Sequence, residues 1–67
     1  MKSEDLHGGQ TIAVVIPYNG LQVGLKGVVL GYYQSEDKAL VQFFNRQQTE
    51  EKIPLKNIIG VLYDETE

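Results

Sequence analysis

From Thr11 onward the chain alternates short apolar runs with polar breaks, and no stretch keeps a 3.6-residue apolar period over a helical length. Residues 11–16 (TIAVVI) are β-branched and apolar, the make-up of a strand. Pro17 removes a ladder donor and marks the end of that strand. Tyr18-Asn19-Gly20 predicts a turn, because Asn-Gly accepts positive φ. Residues 21–34 (LQVGLKGVVLGYYQ) predict a second, longer strand, punctuated by Gly24, Gly27 and Gly31, where it can bulge or bend. A polar turn at 35–38 leads into a third strand over 39–44 (ALVQFF), then a polar loop over 45–51. A fourth strand starts at 52–55 and is interrupted at Pro54, and 58–63 (IIGVLY) predict a fifth.

Five short strands at close spacing, with a long bent second one, predict an all-β fold: a small five-stranded barrel of SH3-like or Sm-like type. The chain has 67 residues, too few for a two-sheet sandwich of immunoglobulin size. The expected division is a mobile acidic lead-in over 1–10, the barrel domain over 11–63 and an acidic tail over 64–67. The expected core is Ile12, Val14, Ile16, Val29, Leu40, Phe43, Ile53, Leu55, Ile59 and Val61.

Small scaffolds usually need disulfides, a metal or a partner subunit to supplement one modest core. The sequence has no cysteine, which removes disulfides and thiolate metal sites and raises the prior for self-association. Apolar residues also run almost unbroken through Val28, Val29, Leu30, Tyr32 and Tyr33, where a half-buried strand should alternate. One small barrel covers one face of such a strand, so a homo-oligomer is expected. No apolar run approaches the roughly 18 residues of a membrane span, and the lead-in has no apolar signal core. A cytoplasmic protein with no membrane partner is the expectation.

Charge narrows the function further. The net charge of −3 comes from the ends; between Thr11 and Tyr63 there are five bases against four acids. This is not the basic footprint of a general nucleic-acid binder. The one histidine, His7, sits in the lead-in, and the two serines, Ser3 and Ser35, have no base partner. Without a partnered nucleophile or base, a non-enzymatic binding protein is expected, with no metal and no cofactor. The acid pairs Glu36-Asp37 and Glu50-Glu51 read as solvated turn charges.

Two runs of residues are similar to known small barrels. Asn19-Gly20 followed by Gly27-Val28-Val29-Leu30-Gly31-Tyr32 resembles the first motif of the Sm-like family, in particular the bacterial host-factor RNA chaperones. Leu55-Lys56-Asn57-Ile58-Ile59, running into Gly60-Val61, stands where that family has its second motif. The resemblance covers residues 11–63. Asn57 stands in place of the family's histidine, Tyr33 in place of an aspartate, and Ala39 where a base-stacking aromatic is expected. The resemblance implies a homo-oligomeric ring, closed by pairing of strands four and five, that binds RNA or nucleotides. It implies a site at Lys56 and Asn57, with Tyr32, Tyr33 and Arg46 as further contacts. The run Gly24-Leu25-Lys26-Gly27-Val28-Val29, followed by Ala39-Leu40-Val41-Gln42-Phe43, also resembles KOW-type SH3-like modules. That implies an SH3-like protein-interaction module acting as a regulator or accessory subunit, with a protein partner. A small-molecule site at a subunit interface is a third possibility.

Overall fold

The structure is a computed structural model, described here over residues 1–61. The predicted extension of the last strand through Leu62 and Tyr63, and the acidic tail, lie outside the described residues. Five antiparallel strands form one sheet: β1 (Thr11–Val14), β2 (Lys26–Tyr33), β3 (Lys38–Phe43), β4 (Glu50–Pro54) and β5 (Ile58–Gly60). Their order is β4-β3-β2-β1-β5, so β2 lies at the centre and the last two strands form the edges. The described helical segments are single 3-10 turns at Ser3–Asp5 and Leu55–Asn57, and none is long and apolar enough to cross a membrane.

The all-β class and the number of strands are as expected. Among the described residues the barrel does not close through hydrogen bonds: β4 and β5 share no ladder there and are joined by the Leu55–Asn57 turn. Pro54 offers no donor at the end of β4, and the 3-10 turn then redirects the chain. The sheet instead curls around one core, helped by a bulge that shifts the β2–β3 register between Val29 and Gly31.

The turn at Asn19-Gly20 forms as its sequence requires. Both residues have positive φ, 49° and 82°, and Tyr18 and Leu21 exchange main-chain hydrogen bonds across them at 3.1 and 2.8 Å. The long second strand does not begin at Leu21. Gly24 takes φ of 93° and Leu25 N–H bonds back to Gln22 O, so the ladder opens only at Lys26.

The core consists of Ile12, Val14, Leu21, Val29, Ala39, Val41, Phe43, Ile53, Leu55 and Ile58. Of the expected core, Ile16 and Ile59 are exposed, and Leu40 and Val61 are only half-buried. The period of two explains the shift. Phe43 points inward, so Val41 and Ala39 must as well, and Leu40 faces out. Ile58 points inward on β5, which turns Ile59 to solvent. Ile16 lies beyond the end of β1. In the lead-in, Met1 and Leu6 pack against the core, and Gly9 N–H bonds Val29 O at 2.8 Å.

Candidate functional site

The five residues singled out in the sequence do not form one cluster. Asn57 is buried, at 5% exposure, and is not a surface contact. Its Nδ2 donates to Ile16 O at 3.1 Å, and its own carbonyl accepts from Val15 N–H and Ile16 N–H. Asn57 therefore bolts the Leu55–Asn57 turn to the chain leaving β1, which satisfies main-chain groups that no strand serves. Lys56, beside it, is exposed. Arg46 lies at the far end of β4, in the loop joining β3 to β4. That loop is closed by Thr49 N–H to Asn45 Oδ1 and Asn45 Nδ2 to Thr49 Oγ1, both 2.9 Å. The five residues of β4 put roughly 16 Å of strand between Arg46 and Lys56.

Tyr32 and Tyr33 are neighbours on one strand and point to opposite faces. Tyr32 pairs with the inward Ala39 and packs against the core. Its hydroxyl donates to Asp37 Oδ1 at 3.0 Å, and that bond to a carboxylate holds the phenol above its usual pKa. Tyr33 pairs with Lys38 and faces outward, 41% exposed.

Around Tyr33 the fold assembles a surface that sequence reading missed. Tyr18, Tyr33, Lys38, Leu40, Glu50 and Lys52 line one open depression of about 470 Å³. The residues come from three places: the Asn-Gly hairpin, the end of β2, and the β3–β4 pair. Lys52 Nζ lies 4.6 Å from the centroid of the Tyr33 ring and bonds both carboxylate oxygens of Glu36 at 3.0 Å. Lys38 Nζ lies 5.8 Å from the Tyr18 centroid and donates to the Tyr18 hydroxyl at 3.3 Å. Asn19 Nδ2 donates to Glu51 Oε2 at 2.6 Å, which ties the hairpin to β4. These contacts set two aromatic rings, each with an ammonium group against it, around Leu40.

The rim charges are largely committed: Lys52 to Glu36, Lys38 to Tyr18, and Glu51 to Asn19. Glu50 has no ion-pair partner among the described residues. Among those residues no group of three or more potential metal ligands converges either. The signal for Tyr18 in the sequence was its place beside the Asn-Gly turn, since a hairpin arm projects its side chain across the fold.

No family model, curated protein or solved structure matches the chain.

Proposed function

We propose that this protein is a non-enzymatic protein-interaction module of the cytoplasm, acting as a regulator or accessory subunit. It holds an extended segment of a partner protein in the depression between Tyr18 and Tyr33. The observation that carries this is the pair of tyrosines, 15 positions apart in sequence, set around Leu40 with a lysine ammonium against each ring. Rigid aromatic side chains give contact area at low entropic cost, and their hydroxyls serve peptide carbonyls. A nucleic-acid ligand, the reading implied by the Sm-like resemblance, draws less support. Asn57 is spent on the fold, and Arg46 and Lys56 stand at opposite ends of β4.

The test is a panel of arrayed peptides, proline-rich and strand-forming, probed with the wild type and with Tyr33→Ala. Tyr33 is exposed, so the variant should fold normally and lose at least tenfold in affinity for the peptides that bind. Equal binding by both proteins would remove Tyr33 from the site. Salt-sensitive binding of single-stranded RNA that responds to Lys56→Ala would favour the nucleic-acid reading instead.

Self-association has a different surface in its support. On the outer face of β5 and β1, Ile59 lies opposite Ala13, and Val15 follows as a diagonal neighbour. Ile59, Val15 and Ile16 are 53%, 43% and 50% exposed. We propose that this face pairs two copies. Sedimentation at micromolar concentration should show a dimer that Ile59→Lys converts to monomer; a wild-type monomer would refute it.

A further inference from the structure

The depression around Tyr33 runs along an edge strand, and that edge has its own hydrogen-bonding pattern. Phe43 N–H donates to Thr49 O at 2.7 Å, and Leu55 N–H donates to Asp37 O at 3.2 Å. The register pairs Val41 with Glu51 and Ala39 with Ile53. Hydrogen-bonded and non-bonded pairs alternate along an antiparallel ladder, so residues 49, 51, 53 and 55 turn their main-chain groups toward β3. Glu50 and Lys52 therefore turn theirs away from it. Their N–H and C=O groups have no main-chain partner among the described residues. Pro54, next in the same phase, has no N–H to offer.

The opposite edge of the sheet is more covered. Ile58 N–H is taken by Leu55 O, and the side chains of Gln10 and Met1 lie against Gly60. Among the described residues, β4 is the edge strand that also contributes Glu50 and Lys52 to the depression.

We infer that β4 takes the partner segment as a sixth strand, pairing with the main chain of Glu50 and Lys52 and stopping at Pro54. This rests on the peptide-docking reading and specifies its mode. Main-chain bonds supply affinity, and alternate side chains supply specificity. On the outer face, the side chains of the added strand lie beside Glu50 and Lys52, with Leu40 one strand further in and Tyr33 two. A basic side chain there meets Glu50, the rim carboxylate left without an ion pair. A second copy of this chain fits the edge less well. Antiparallel pairing of β4 with β4 sets Glu50 of one copy opposite Lys52 of the other, but each Lys52 is already held by Glu36, so the pairing gains little from its charges. Pro54 ends the free edge, and Glu50, without an ion pair among the described residues, favours a basic, extended segment.

Lys52→Pro removes the outward N–H of residue 52 and breaks no bond to β3, while Lys52→Ala removes the ammonium and keeps the N–H. The probe is a panel of eight-residue peptides alternating valine or tyrosine with arginine, beside a proline-rich set. Both variants lose the ammonium against Tyr33, so the outward N–H is read from their difference: we expect Lys52→Pro to bind the alternating peptides at least tenfold more weakly than Lys52→Ala. Amide exchange of the wild type gives a reading that does not depend on the variant's folding. In the free protein Glu50 and Lys52 amides should exchange fast and Glu51 and Ile53 slowly. Bound peptide should slow Glu50 and Lys52 at least tenfold. If no peptide slows those two amides while Tyr33→Ala still abolishes binding, strand addition is overturned and the tyrosine groove stands. If Lys52→Pro abolishes binding and Tyr33→Ala does not, the edge stands and the groove reading falls. Protection of both amides in the free protein that rises with its concentration would show a second copy on the edge and overturn the proposal. Binding by no peptide of either set would overturn both readings.

Discussion

Gly27→Ala is expected to lower the melting temperature by about 10–20 °C, the equivalent of about 2–3 kcal/mol in a domain of this size. Gly27 sits in β2, paired with Phe43 on one side and Ile12 on the other. A Cβ built there would lie 2.7 Å from Gln42 O, 2.7 Å from Val41 Cγ1 and 3.0 Å from Phe43 Cα. Two of those atoms are main chain, so no rotamer change relieves the clash. β3 would have to move, and it carries three of the buried core residues. Replacing glycine also narrows the unfolded ensemble, which favours folding by about 0.4–1 kcal/mol. The clash outweighs that gain. At Gly31 the balance reverses: a Cβ there meets nothing within 4 Å and φ is not positive. Gly31→Ala should raise the melting temperature by a few degrees. Thermal unfolding of the pair decides it, and an unchanged midpoint for Gly27→Ala would mean β3 yields without cost.

The punctuation of the chain was legible because it is local. Asn19-Gly20 announces its turn by two residues that accept positive φ, and the β-branched run of β1 states its strand directly. The second strand was read too long because Gly24 and Gly31 look alike in sequence. One takes a positive φ and ends the ladder; the other lies in the strand beside the bulge. Leu40 was read inward because a larger apolar residue outbids its smaller neighbours in any list of core candidates. The pleat settles the matter by parity, and Ala39 and Val41 share the parity of Phe43.

The site was less legible because its parts meet only in the fold. Tyr18 and Tyr33 belong to different hairpins, and no spacing rule links them. Asn57 was misplaced for a related reason. In a run such as Leu55-Lys56-Asn57-Ile58-Ile59 a polar residue reads as exposed. The 3-10 turn breaks the alternation, so Leu55, Asn57 and Ile58 are all buried. Inside, Asn57 Nδ2 serves the Ile16 carbonyl, while its Oδ1 has no partner among the described residues.

Phe43→Ala is expected to leave little folded protein, while Phe44→Ala changes stability by less than about 0.5 kcal/mol. The two residues are adjacent and chemically identical, so parity on β3 alone separates them. Phe43 is 0% exposed and the largest fully buried side chain among the described residues; Phe44 is 61% exposed, just past the strand end. Truncating a buried phenylalanine costs about 3–5 kcal/mol, the lost transfer free energy plus the cavity. A domain of this length has a total stability of roughly 3–10 kcal/mol, so the loss consumes much or all of it. Phe43 also stands cross-strand from Gly27, where no side chain can share the volume. Its neighbours cannot collapse into the gap without dragging β2 and β3 out of register, which puts the cost toward the upper end. Phe43→Leu keeps most of the volume and should still unfold cooperatively at a lower midpoint. Urea denaturation of the three variants, followed by far-ultraviolet circular dichroism, checks the order. A Phe44→Ala loss equal to that of Phe43→Ala would mean that the inward phase of β3 is wrong, and with it the outward placement of Leu40 in the tyrosine groove.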